Sequence, residues 1–322
     1  MRTRRRRSGP VATGTRLVQI IVTPGSGNGR ALTTALQLRE GLRTRGHQTR
    51  LEALSDLDSL GRWTATADPN LSLLICVGGD GTLSAAAAAA VRHSIPFLPV
   101  PTGFGNLFAR ALGLTNRVDR ALDLLEHGTL VQVDVGVRNG ELFLCQESYG
   151  LLSEIQHRVE ESVAQPRARW RRCLAYYRMA LRYLGDAPLT PLEVVVDGRV
   201  VARDAVVVAV ANVETYGAWL RLTPDASPVD GLFDVFTMSG ATKRAVLARL
   251  LKRQLRLPGT EEGTQVCRGR RVSVTAPHQA RNEHGLIPRV LPVLVPSEKA
   301  EALTRDLVRV YAPSQPGARR VA

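Results

Sequence analysis

The sequence predicts an α/β domain built on a parallel sheet, followed by a β domain folded as an antiparallel sandwich. Apolar runs of strand character alternate with helical stretches through roughly the first 130 residues, and that alternation builds parallel sheets. Three of the strand runs end in glycine-rich turns that open helices, at 23–29, 78–82 and 101–106. From Val131 onward strands follow one another, and Asp197-Gly198 between two of them signals a hairpin. The change of texture places a domain boundary near Asp134.

Leu17 to Val22 (LVQIIV) is a short strand that stops at Thr23-Pro24-Gly25-Ser26-Gly27-Asn28-Gly29, and a helix runs from about Arg30 to Arg45. Gln48 to Ala53 is the second strand and Leu73 to Val77 the third, leading into Gly78-Gly79-Asp80-Gly81-Thr82. The helix after it is alanine-rich from Ala85 to Ala90, with side chains small enough to lie close on a sheet. A further strand ends at Pro101-Thr102-Gly103-Phe104-Gly105-Asn106, which opens a helix ending near Leu112. Val118 to Leu125 forms another helix, and Gly128 precedes the strand VQVDVGV. All three glycine turns fall at the carboxyl ends of their strands, the edge where such sheets hold ligands. Glycine lets the backbone approach closely there, and helix N-termini offer N–H groups and positive dipole ends to an anion. A phosphate-bearing ligand is the expectation. Asp80, set among donors that favour an anion, bonds a ribose or neighbouring backbone, or acts through a cation. Thr82 is placed as the N-cap of its helix.

In the second half, Glu141 to Gln146, Leu192 to Val196, Val200 to Ala211, Arg271 to Ala276 and Val290 to Val295 read as strands. Ser297 to Val308 reads as a helix with Ser297 as cap and Glu298 in its first turn. Pro166 to Gly185 carries Trp170, Leu174, Tyr177, Leu181 and Leu184 at helical spacing, with Arg167, Arg171, Arg178 and Arg182 on the other faces. Such a helix packs its apolar stripe on its own domain, or turns arginines and Trp170 toward an anionic bilayer.

No apolar run among the 322 residues is long enough to span a membrane, so a soluble protein is expected. Of the net charge of +14, half comes from arginines in an N-terminal arm (1–15) and a C-terminal tail (312–322), both expected to be disordered. The remainder still leaves a basic body, suited to ATP and to an anionic membrane surface. The arm lacks the apolar segment of a twin-arginine export signal. Cys76, Cys145, Cys173 and Cys267 have no metal-binding spacing and read as reduced, buried thiols.

The G-G-D-G-T of residues 78–82, together with the P-T-G-F-G-N of residues 101–106, resembles the catalytic domain of the diacylglycerol kinase and sphingosine kinase superfamily, within it the bacterial soluble lipid kinases. The loop at Pro24, Ser26, Gly27 and Gly29 resembles that family's N-P-x-S-G-x-G, with Thr23 in place of Asn. Asn212, Tyr216, Gly217, Pro224, Ala226, Asp230, Gly231 and Asp234 resemble the pattern of its second domain. The resemblance implies a Rossmann-like, NAD kinase/diacylglycerol kinase-like nucleotide domain over 16–134, completed by a helix at 297–311, and a β-sandwich over 135–296. It implies ATP and Mg2+, with Ser26, Gly27, Gly29, Gly78, Gly79, Asp80, Gly81, Thr82, Gly103, Gly105 and Asn106 around the nucleotide. It implies a structural metal at Asp230 and the carbonyl of Leu232.

Departures accompany it. Phe104 and Leu107 replace a hydroxyl and a carboxylate, and Arg281-Asn282-Glu283 stands where the family has the D-G-E that supplies the catalytic acid. Arginine cannot act as a base, so Glu283 or His284, beside Asp80, is the expected replacement. The function implied is transfer of the γ-phosphate of ATP to a lipid hydroxyl, in a cytoplasmic protein peripheral to the inner face of the membrane. The acceptor stays open among diacylglycerol, a sphingoid base, phosphatidylglycerol and a polyprenol. The alternatives are a catalytically degenerate nucleotide- or lipid-binding pseudokinase, NAD kinase, which shares G-G-D-G-T, and nucleic-acid binding through the arginine tails.

Overall fold

A computed structural model of the chain describes residues 16–54, 57–68, 70–103, 105–162, 182, 189–214, 216–217, 220–240, 242–254, 263–277 and 279–311. The expectations for the arm 1–15, the tail 312–322, Phe104, Cys173 and, residue 182 apart, the amphipathic segment 166–185 lie outside these residues.

The first half alternates as its apolar periodicity requires. Strands β1 (Leu17–Val22), β2 (Gln48–Ala53), β3 (Leu73–Gly78) and β4 (Phe97–Pro101) pair in parallel in the order β4-β3-β1-β2. The two central strands are apolar apart from the buried Gln19 because both faces are covered, whereas β2 lies at the edge and carries polar residues. Helix α1 (Arg30–Thr44) buries Ala31, Ala35, Leu38 and Leu42, one stripe at helical spacing. Helix α2 (Leu57–Thr66) has no counterpart in the sequence reading; its segment contains Gly61 and three hydroxyl residues, which weaken its helical signal. Helix α3 (Asp80–His93) buries Ala86, Ala87, Ala89 and Ala90, and these small side chains bring it close to the sheet. The short α4 (Leu107–Ala111) and then α5 (Val118–His127) complete this half.

Thirteen strands of the described residues form one continuous sheet, so the halves are joined by hydrogen bonds. Two long strands make the junction. Strand β5 (Thr129–Arg138) pairs antiparallel with β15 (Asn282–Val295) from Thr129↔Val295 to Arg138↔His284, and β15 also meets β4 at Val293↔Phe97. A bulge between Ile287 and Leu291, with Arg289 at φ 53°, bends β15 between the halves. Beyond it lie β6 (Glu141–Phe143), β7 (Gln146–Gly150), α6 (Leu151–Ser162), β8 (Leu192–Val196) and β9 (Arg199–Ala211). They are followed by β10 (Tyr216–Gly217), β11 (Leu220–Arg221), β12 (Phe233–Ser239), α7 (Lys243–Gln254), β13 (Thr264–Gly269) and β14 (Arg271–Thr275).

Asp197 and Gly198 sit at φ 47° and 81° and turn β8 into β9, the hairpin that the dipeptide signals. The sandwich character shows in β9, which is buried on both faces. Val207 and Ala209 join α6 and α7 in one core, while Val208 and Val210 join β8, β14 and Phe143 in another. The last helix, α8 (Ser297–Tyr311), returns to the first half and buries Ala300 and Leu303 in the core of the parallel strands. Ser297 is not its cap. Its hydroxyl donates to the His127 carbonyl and pairs with Thr129, while the Pro296 carbonyl accepts the N–H groups of Lys299 and Ala300.

Candidate active site

The parallel register brings the three glycine turns to one edge, and the contacts between them are closer than any side chain would allow. Gly27 lies at φ 63°, and a Cβ on it would collide with the Thr102 carbonyl. A Cβ on Gly103 would stand 2.6 Å from Cα of Gly79 and 3.0 Å from Asn106 Oδ1. Ser26 Oγ and Thr102 Oγ1 are 3.0 Å apart, and Thr102 N donates to the Gly78 carbonyl at 2.8 Å. Two further glycines are there for other reasons. Gly29 opens α1 at φ 82°, and a Cβ on Gly81 would meet no atom of the chain, so that glycine leaves room for something outside it. Neither α1 nor α3 has a side-chain cap on its N-terminal N–H groups.

Two sequence-predicted residues take roles different from those expected. Helix α3 starts at Asp80 with Gly79 as its extended N-cap, so Thr82 is inside the first turn and is not a cap. It is buried, with Oγ1 3.3 Å from Thr23 Oγ1, and its bulk against Gly78 leaves no space there for a side chain. Asp80 satisfies neighbouring backbone: its oxygens accept N–H of Leu107 at 3.1 Å and Phe108 at 3.4 Å, capping α4 across the gap between two turns. Burial pushes its carboxyl above the usual range, opposed by those N–H groups and by the Cys145 thiol, which donates toward it. Asn106 sits at φ 50° and its Nδ2 donates to the Gly103 carbonyl at 2.9 Å, fixing the turn, while Oδ1 is buried with no partner in the chain.

The replacement acids do not fall where the sequence places them. His284 is 3 % exposed, and its ring is spent inside the protein. Nδ1 lies 3.1 Å from the Val272 carbonyl, which only accepts, so Nδ1 carries the proton and Nε2 accepts the Tyr149 hydroxyl at 2.7 Å. Burial lowers its proton affinity further. His284 is thus a neutral core residue and not a base. Glu283 is exposed, 3.6 Å from Arg281 Nε, with its backbone N–H donating to Asn139. Among the described residues, no hydrogen bond or ion pair joins it to the glycine turns. A shift of β15 is blocked on both sides, because Ser273↔Glu283 and Arg138↔His284 fix the register and one step would exchange the exposed and buried faces. Arg281 is tied to β14 through Ser273 Oγ at 2.7 Å.

The donor set at Asp230 does not fit a metal ion. Asp230 Oδ1 accepts the Leu232 N–H at 3.0 Å, and Oδ2 lies 3.9 Å from Arg268. Arg268 Nε donates to Asp234 at 3.1 Å, and its NH2 donates to the Asp225 carbonyl. Asp134 accepts the N–H groups of Gly231 at 2.6 Å and Arg289 at 2.8 Å. Burial pushes the Asp134 and Asp230 carboxyls up to about 6. The three buried carboxylates meet backbone donors and arginines, Arg268 at Asp230 and Asp234 and Arg270 and Arg289 near Asp134, while Asp234 Oδ2 is buried without a hydrogen-bond partner; no group of three or more metal-ligating side chains converges among the described residues. Excess EDTA should accordingly leave the melting temperature of the protein unchanged; a fall would show that a cation holds this turn.

A further group has no motif to announce it. Glu147 and Tyr149 alternate onto one face of β7, just after the bend at Cys145, and Arg138 reaches Glu147 from β5. Arg138 donates to Glu147 at 2.6 Å and to Glu141 at 3.2 Å. A sequence scan finds no such group because its members are brought together by strand pairing and not by spacing. Cys76 and Cys145 are free and buried, as expected of reduced thiols, while Cys267 is only partly buried.

Comparison with known proteins matches the geometry. The family model described as the diacylglycerol kinase catalytic domain covers residues 18–137, and that described as the YegS C-terminal NAD kinase beta sandwich-like domain covers 151–292. A Bacillus subtilis protein named diacylglycerol kinase is 27% identical over 305 residues, 88% of this chain and 98% of its own length. A Staphylococcus aureus protein of the same name is 30% identical over 169 residues, 51% of each chain. A crystal structure of a diacylglycerol kinase from Bacillus anthracis str. Sterne superimposes with a TM-score of 0.64 at 20% identity, covering 88% of this chain and 98% of that one, a likeness of fold.

Proposed function

Because the chain belongs to the diacylglycerol kinase catalytic-domain family, we propose that it transfers the γ-phosphate of ATP to the hydroxyl of a lipid. The observation that carries this reading is the meeting of three glycine turns at one sheet edge, where a Cβ on Gly27 or Gly103 would fill the space. Phosphates lie against the backbone of 26–29, 79–82, Gly103 and Gly105, and the uncapped N-termini of α1 and α3 neutralise their charge. Asn106 Oδ1, buried without a partner, accepts a donor of the ligand. A magnesium ion bound together with the nucleotide would supply charge neutralisation on the transferring group. Asp80 acts by locking α4 to the start of α3, which fixes the distance between two of the turns.

The test is radiolabelled phosphate transfer from ATP and magnesium to vesicles carrying diacylglycerol, a sphingoid base, phosphatidylglycerol or a polyprenol. Incorporation into one of them is expected. A second reading, nucleotide binding without turnover, is favoured by the exposed Glu283 and the spent His284. It predicts measurable ATP affinity with no labelled lipid, and that result would overturn the first.

The acceptor is embedded in a membrane, and no helix among the described residues is long and apolar enough to cross one. The basic segment 166–185 is the contact we assign to the bilayer surface. Changing Arg171, Arg178 and Arg182 to Glu should weaken sedimentation with phosphatidylglycerol vesicles by about 100-fold or more, at about 1 kcal/mol per basic residue. Unchanged sedimentation would remove this segment from the model of binding.

A further inference from the structure

We propose that Glu147, held by Arg138 on β7 just after the bend that ties this strand to α3, is the carboxylate that orients the acceptor hydroxyl and takes its proton. The inference rests on the kinase reading above. It starts from an absence: the described residues that the sequence offers as acids are unsuitable. Asp80 spends its oxygens on two backbone N–H groups and a thiol, Glu283 faces solvent beside Arg281, and both nitrogens of His284 are engaged in the core.

Glu147 has the placement they lack. Leu144, in the bend before β7, donates its N–H to Ser84 Oγ of α3 at 3.3 Å, and Cys145 beside it packs in the core of the parallel strands, so Glu147, two residues on, enters β7 close to the glycine edge where phosphate is expected. Its side chain is 20 % exposed, enough to meet a substrate and too little to be fully hydrated. Arg138 holds one carboxylate oxygen at 2.6 Å and leaves Oε1 without a hydrogen bond or ion pair among the described residues.

The charged surroundings support a base. Burial pushes the Glu147 carboxyl above the usual range, and the Arg138 guanidinium opposes this. Glu141 adds a like charge from β6, and Tyr149 lies beside it on its own strand. Burial and the nearby carboxylate push the Tyr149 phenol up to about 12, so it remains neutral. Behind Tyr149 stands the neutral His284, which accepts its hydroxyl. Arg138 also donates toward the Tyr149 oxygen, so His284, Tyr149 and Arg138 form a line of positioning residues behind Glu147.

In the step itself, the acceptor hydroxyl oxygen forms a bond to the γ-phosphorus as the bond from that phosphorus to the β,γ-bridging oxygen breaks. ADP departs with that electron pair, and the hydroxyl proton passes to Glu147.

The experiment compares wild type, Glu147→Gln, Glu147→Asp and Glu283→Gln in steady-state transfer to diacylglycerol in phosphatidylglycerol vesicles, across pH. Glu147→Gln should lower kcat by about 100-fold or more, the contribution of a positioned base. KM for ATP and the melting temperature should hold, and the acidic limb of the pH profile should vanish. Glu147→Asp should recover part of kcat, and Glu283→Gln should match wild type. Glu147→Gln with wild-type kcat would overturn the proposal while leaving the kinase reading intact. So would a loss of kcat whose residual activity keeps the acidic limb, since that marks a structural role. A wild-type protein that labels no lipid in the panel would overturn both.

Discussion

Gly103→Val is expected to lower nucleotide affinity by about 5- to 150-fold while the far-UV circular dichroism stays that of the wild type. The reason is local. A Cβ at 103 would lie 2.6 Å from Cα of Gly79 and 3.0 Å from Asn106 Oδ1, and neither neighbour can yield cheaply. Gly79 sits at the start of α3, and the 101–106 turn is pinned by Thr102 N to the Gly78 carbonyl and by Asn106 Nδ2 to the Gly103 carbonyl. Overpacking of this kind costs about 1–3 kcal/mol and is relieved by moving backbone. Here the backbone that moves is the surface that would hold phosphate, so binding takes the loss. Strands β3 and β4 end before the clash, which is why the sheet survives. Gly81→Ala is the companion variant. Its Cβ meets nothing within the chain, so the melting temperature should be unchanged, and any fall in affinity reports a ligand approaching residue 81 directly. Isothermal titration with ATP and magnesium reads both. Wild-type affinity in Gly103→Val would show that the glycine edge is not where nucleotide sits.

Arg268→Met is expected to destabilise the protein by about 3 kcal/mol, the low end of what removing one partner of a buried ion pair costs. Arg268 is 37 % exposed, which argues for the low end, whereas the Asp230 and Asp234 side chains it serves are 1 % and 3 % exposed. Without it two buried carboxylates face each other with fewer donors, and Asp134 adds a third charge nearby. Methionine keeps most of the volume, so the loss isolates the charge. Denaturant titration with Arg268→Met and Asp234→Asn, singly and together, separates the pair from each residue's packing. Millimolar magnesium or calcium should restore part of the loss in Arg268→Met and none in wild type, since only the variant leaves the carboxylates without a cation. Equal stability of variant and wild type would show that the backbone N–H groups suffice.

Much of the fold is legible in the residues. The bounds of β1 and β2 follow from their apolar runs and the turns that end them, and Asp197-Gly198 marks its hairpin because few dipeptides tolerate two successive positive φ values. Local patterns fail where a contact distant in sequence overrides a local preference. Thr82 has the chemistry of an N-cap, yet Gly79, three residues earlier, takes the extended conformation that caps a helix starting at Asp80. Ser297 likewise has a cap's chemistry, but the His127 carbonyl and Thr129, about 170 residues away in the chain, take its hydroxyl. Leu57–Thr66 becomes helical although its glycine and hydroxyl residues are poor helix formers, because Leu60 and Trp63 are buried against the core.

The sequence by itself determines the nucleotide half of the site, because a glycine turn after a strand is a local object and parallel alternation brings all such turns to one edge. Only the tertiary structure decides which carboxylates are buried and what each one pairs with. Those outcomes depend on pairings between residues 97 or more positions apart: Arg138 opposite His284, Asp134 under Gly231 and Arg289. Period-two alternation buries His284 and exposes Glu283 once β5 and β14 fix the register of β15, and no inspection of Arg281-Asn282-Glu283-His284 alone reveals which face is inward. Arg268 likewise becomes the counter-charge to Asp230 and Asp234 only because β13 pairs with β12 and sets Arg268 opposite Asp234.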